Sequence, residues 1–148
     1  MHPRLGVLCF RTTVGGALDT ASTPVHVLLE MRQYCSEVFD RLDVIADGGI
    51  LRGTDAVKAL ALGAKAVGIG RAALYGLAAS GQEGVERTFR ILADETMTAM
   101  RLLGVQRVDQ LSYQRINTLL VDSQIFDSAS LVYKSELINK RSSVRAKF

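Results

Sequence analysis

Two short apolar runs in this chain each close on a glycine turn, and each turn stands close to the head of a helix-patterned stretch. The first run, Leu42-Asp43-Val44-Ile45-Ala46, closes at Asp47-Gly48-Gly49. The second, Ala66-Val67-Gly68-Ile69-Gly70, closes at Arg71. Runs this short, β-branched and bounded by glycine, read as strands. The second shows little alternation, as expected for a strand buried on both faces of a parallel sheet. Between and around them lie helix signals. Thr23 is a candidate N-cap with Pro24 in the first helical position, and Val25, Leu28, Leu29 and Arg32 follow at helical spacing, so 24–36 is expected to be a helix. Thr54 is expected to cap a second helix, with Val57, Leu60 and Ala61 on one face and Gly63 as its stop. Ser80-Gly81-Gln82-Glu83 matches a capping box at the start of a third and longest helix. Val85, Phe89, Leu92, Met100 and Leu103 form its apolar face, and Gly104 ends it.

Helix, strand, helix, strand, helix with short connections is the grammar of an α/β fold with right-handed crossovers. Gly6-Val7-Leu8-Cys9-Phe10 offers one more short buried strand. After Gly104 the pattern weakens; Val105 to Leu111 and Ser123 to Leu131 are candidates for short helices.

Length limits what this grammar can build. At 148 residues the chain is one domain or part of one. A complete (β/α)8 barrel needs about 250 residues and seldom fewer than about 200. The charge surplus of +3 gathers at the end, in Lys140, Arg141, Arg145 and Lys147. Residues 132–148 therefore read as a basic, solvated tail. No aromatic residues interleave with these charges to stack on bases, so nucleic acid is not an expected partner. No apolar run approaches the ~20 residues of a membrane helix, so no membrane partner is expected. Cys9 and Cys35 have no metal or redox spacing and read as buried free thiols of an intracellular protein. The ending Ala146-Lys147-Phe148 departs from a peroxisomal signal at its last residue.

The two glycine turns are the candidate chemistry. Both fall where a βα loop begins, the side of an α/β sheet where ligands bind. Glycine lets backbone amides approach an anion, and a helix N-terminus favours a phosphate there. Arg71 adds a planar fork suited to phosphate oxygens. Spacing alone leaves a second reading open, in which these glycines only permit tight strand-to-helix packing.

The string Asp47-Gly48-Gly49-Ile50-Leu51-Arg52-Gly53-Thr54-Asp55, continued by Lys58 to Arg71, resembles the FMN-dependent α-hydroxy acid dehydrogenase/oxidase family. Glycolate oxidase, lactate oxidase and the yeast-type flavocytochrome lactate dehydrogenases belong to it. Met100 to Val105 and Ile116-Asn117-Thr118 extend the resemblance, which spans about Gly15 to Leu131. It implies a partial TIM barrel: the last two βα units of a (β/α)8 FMN barrel, over residues 1–131, with a helical tail. It also implies that Asp47 hydrogen-bonds ribityl hydroxyls of FMN. Gly48, Gly49, Gly70 and Arg71 would hold the phosphate, with the Arg71 side chain neutralising it. The family carries two basic residues after the Gly-Gly-aliphatic turn. Here these positions are Leu51 and Arg52, so one charge is missing. A lost charge-assisted hydrogen bond of this kind costs about 1.5–3 kcal/mol.

The catalytic segment departs further. The family pattern Ser-Asn-His-Gly-Gly-Arg-Gln-Leu-Asp is matched by Thr12-Thr13-Val14-Gly15-Gly16-Ala17-Leu18-Asp19. Val14 occupies the position of the His that takes the substrate proton, and no Arg stands ready for the substrate carboxylate. Valine cannot accept a proton. His2 lies too early to align, and His26 sits in the first turn of a helix as a surface residue. Residues 1–14 lack the family pattern, as an altered frame or exon edge would leave them. The expectation is thus an FMN- or phosphate-binding fragment of an oxidoreductase, inactive alone. A small 2-hydroxy acid would be a partner only if the missing half is supplied. The alternative is a non-catalytic half-barrel module that binds phosphate or another subunit, a second copy of itself included.

Overall fold

The computed structural model describes residues 6–11, 22–122 and 125. Three strands, β1 (Gly6–Arg11), β2 (Leu42–Asp47) and β3 (Ala66–Gly68), form one parallel sheet in the order β1-β2-β3. Each strand is followed by a helix: α1 (Pro24–Tyr34) and the short α2 (Val38–Arg41) after β1, α3 (Gly53–Ala61) after β2, and α4 (Arg71–Leu102) after β3. The described chain therefore holds three βα units, one more than the resemblance implied. Two 3-10 turns, Val108–Gln110 and Tyr113–Arg115, and a last short helix α5 (Leu119–Asp122) complete it. The first turn replaces the helix expected over Val105 to Leu111. The segments 12–21, 126–148 and most of Ser123 to Leu131 lie outside the described residues, and with them Val14 and the basic tail.

The core sits where α1 and α3 cover one face of the sheet. Leu28, Val44, Ala46, Ala59 and Leu62 are all essentially inaccessible to solvent and pack as one cluster. Burial alternates along β2: Val44 and Ala46 face the helices, while Ile45 and Asp47 on the other face are only half-buried. A strand buried on both faces was expected over Ala66 to Gly70, but in β3 Ala66 is exposed and Val67 and Gly68 are only half-buried. The departure is larger for β1. It runs as a strand, but Val7, Leu8 and Cys9 are exposed, so Cys9 is an exposed free thiol rather than a buried one. β1 is also the edge strand: it pairs only with β2, and among the described residues no strand lies on its outer side.

Helix ends show which local signals operate. Thr23 caps α1 as expected, its Oγ1 accepting the His26 amide at 3.5 Å. Gly63 and Gly104 both take positive φ, at 109° and 70°. Each closes its helix with the long-range backbone bond of a Schellman end, Ala64 N–H to the Ala59 carbonyl and Val105 N–H to the Met100 carbonyl. The expected cap Thr54 is not the cap. Arg52 holds that position, and the work of a cap side chain is done from inside the helix by Asp55. The third helix starts at Arg71 rather than Ser80. Ser80 and Gly81 instead break it into segments 71–79 and 82–102, with Gly81 at φ 58°. At this corner the two segments touch backbone to backbone: a Cβ on Gly84 would collide with the Gly76 carbonyl. No helix among the described residues is long and apolar enough to cross a membrane.

Candidate functional site

The parallel register pairs Asp47 with Gly68, so the two glycine turns leave neighbouring strands at the same end of the sheet. The Asp47 side chain lies against Gly68, where a Cβ would stand 2.5 Å from Asp47 Oδ1. Any larger residue at 68 would displace the carboxylate. Gly48 and Gly49 follow at φ 106° and 71°, a region that costs an L-residue strain. Ile50, 7% exposed, then pins the turn to the core.

Beyond Ile50 the two turns part in character. Leu51 is 71% exposed, and Arg52 is exposed beside it. Their backbone amides are already used: both donate to Asp55 Oδ2, at 3.2 and 3.1 Å. The next amide, that of Gly53, donates to Glu95 Oε2 at 2.8 Å. Thus three successive amides at the start of α3 point at the chain's own carboxylates. Gly53 is buried against α4, and a Cβ there would lie 2.6 Å from Glu95 Cβ. Its glycine serves close helix packing. Among the described residues, only one of the two helix starts keeps its leading amides clear of such carboxylates.

That one is α4. Gly70 occupies its cap position, and nothing lies within 4 Å of where a Gly70 Cβ would stand. Ala73 and Leu74 amides fold back onto the Gly70 carbonyl, at 3.1 and 3.4 Å. The Arg71 and Ala72 amides therefore precede the first helical hydrogen bond, as the opening donors of any helix do. The Arg71 side chain is exposed beside them. An open glycine, leading helix amides and a guanidinium make a cradle suited to a phosphate. The carboxylate of Asp47, one strand away, suits hydroxyl donors. A separate cleft of about 370 Å³ reaches Gly48 and Gly49 from beside α1 and α3, but Gly70 and Arg71 do not line it. Among the described residues no group of three or more His, Cys, Asp and Glu could hold a metal.

Asp55 and Glu95 are the residues that sequence reading missed. Asp55 stands at the third helical position, where an acid is a known partner for cap amides, so a local signal existed. Glu95 reaches Gly53 from 42 positions away, and no local pattern announces it.

An α/β protein with a phosphate-suited turn at the carboxyl ends of parallel strands is a class with many members. Comparison with known proteins narrows it. The sequence pattern of the FMN-dependent dehydrogenases matches residues 14–118. The chain belongs to the FMN-dependent dehydrogenase family, as the string from Asp47 to Arg71 led one to expect. It is 42% identical over 106 residues to an L-lactate dehydrogenase (cytochrome) of Wickerhamomyces anomalus, covering 70% of this chain and 18% of that protein. It is 55% identical over 107 residues to the pre-mycofactocin synthase of Mycobacterium tuberculosis, covering 72% of this chain and 27% of that one. Its fold matches the flavin-binding domain of baker's yeast flavocytochrome b2 with a TM-score of 0.73 at 34% identity, over 89% of this chain and 34% of that domain. The chain thus spans roughly a fifth to a third of the proteins it matches.

Proposed function

We propose that this chain is the phosphate end of an FMN site, carried on the C-terminal βα units of a (β/α)8 barrel. The observation that carries this reading is the open Gly70-Arg71 turn beside Asp47, set at one end of adjacent parallel strands. In this reading Arg71 and the amides of Gly49, Gly70 and Arg71 hold the phosphate, and Asp47 accepts hydrogen bonds from the ribityl hydroxyls. Gly48 leaves room for the approach. Leu51 contributes no charge, and Arg52 stands as the remaining basic residue of that turn. Bound FMN would supply a hydride acceptor. The residues named here bind and orient; none of them takes a proton from a substrate, and Val14 cannot. Residues 1–131 would form this unit, with 132–148 as a basic tail. Oxidation of a 2-hydroxy acid then requires the rest of the barrel, and the chain alone binds FMN weakly without turnover.

The test is flavin fluorescence titrated with the full chain, beside an assay of L-lactate and glycolate oxidation. Weak quenching without turnover is expected. Absence of quenching at millimolar FMN, or turnover at an intact enzyme's rate, contradicts it.

A second reading concerns the substrate. The chain carries no Arg between Gly16 and Leu18, where the family's carboxylate partner would stand. Identity is also higher to the pre-mycofactocin synthase than to the L-lactate dehydrogenase, 55% against 42%. The higher identity favours a completed barrel that takes a substrate of the pre-mycofactocin synthase kind. Efficient L-lactate oxidation by the completed barrel would rule this out.

A further inference from the structure

A second cleft lies in the helical layer and shares no residue with the glycine turns. It measures about 380 Å³ and is lined by Leu29, Arg32, Gln33, Ser36, Tyr113 and Thr118. All but Leu29 are polar, and no carboxylate is among them. The Arg32 guanidinium stacks on the Tyr113 ring at 4.8 Å and on the Phe39 ring at 5.3 Å. Two ring contacts fix the plane of the guanidinium and leave its edge to recognise a ligand. That edge is unsatisfied: Arg32 Nε is buried and has no hydrogen-bond partner. Among the described residues no carboxylate pairs with Arg32. A buried N–H on a permanently charged group is costly to leave without an acceptor.

We propose that this cleft binds a small oxyanion, a carboxylate or a phosphate, through the edge of Arg32. The planar fork matches two oxygens of such a group side by side. Gln33, Ser36 and Tyr113 supply neutral donors around it. The C-terminal end of α1 opposes an anion here, but its partial charge is smaller than the full charge of Arg32. Tyr113 is about half exposed, at 48%, so the cleft opens to solvent. The ligand would bridge α1, the connection to α2 and the 3-10 turn at Tyr113–Arg115. Binding would therefore raise the stability of the chain by mass action. This site stands or falls independently of the FMN reading.

Amide NMR of the full 148-residue chain tests it, titrated in separate arms with inorganic phosphate and with acetate. Saturable shifts at Gln33, Ser36 and Tyr113 are expected in at least one arm, and the arm that responds identifies the oxyanion. Arg71→Gln should leave them in place while removing any second set at the glycine turns. Arg32→Met should abolish them. Arg32→Lys keeps the charge and loses the fork, and should weaken binding about tenfold; it serves as the variant if Arg32→Met does not fold. No saturable shift in either arm up to tens of millimolar overturns the proposal. So does wild-type affinity in Arg32→Lys, or loss of the shifts in Arg71→Gln.

Discussion

The starts of α3 and α4 look alike in sequence and behave differently in the fold. Each follows a glycine turn at the end of a parallel strand, and each has an arginine at or beside its cap. At α3 the leading amides are spent on Asp55 and Glu95. At α4 the cap glycine faces open space. A helix N-terminus is an anion site only when its donors are unspent. Glycine content does not reveal this, because Gly53 and Gly70 serve opposite purposes: one brings two helices together, the other keeps matter away.

Substitutions should separate the two starts most clearly in stability. Gly53→Ala drives a Cβ into Glu95 and Thr96 and should cost about 1–3 kcal/mol in chemical denaturation. Gly70→Ala meets nothing and should fall within about 0.5 kcal/mol of wild type. Equal losses at the two positions would erase the distinction. Glu95→Ala leaves the buried Gly53 amide without its acceptor and should cost about 1–3 kcal/mol, read the same way. Asp55→Ala removes a cap at a more exposed end and should cost about 0.5–2 kcal/mol. A neutral result for both acids would mean that solvent can replace them, and that the α3 amides remain available to an anion.

How far the sequence could be read follows the same division. The strands at 42–47 and 66–68, the Thr23 cap and the glycine stops at 63 and 104 were legible, because each is set by its own few residues. The start of α4 was not. Segment 71–79 is rich in Ala, and its exposed Leu74, Tyr75 and Leu77 give no inward stripe. Ser80 and Glu83 marked a real discontinuity, but it interrupts a helix already begun. The exposed face of β1 was illegible for another reason. An apolar run announces that a surface is to be covered, not that the covering element lies in the same stretch of chain. At the candidate site, Asp47 and the turn at Gly70-Arg71 could be named from sequence, since glycine, acid and arginine at strand ends are local signs. That Leu51, Arg52 and Gly53 offer no free amides could not, because Glu95 arrives from the far half of α4.

The central claim is that the α4 start, and not the α3 start, is the phosphate cradle. Amide NMR of the full chain titrated with FMN tests it most directly. The account predicts shifts at Gly49, Gly70, Arg71 and Ala72, with the amides of Leu51, Arg52 and Gly53 held still by their carboxylates. Shifts at 51–53 with 70–72 unmoved would contradict it.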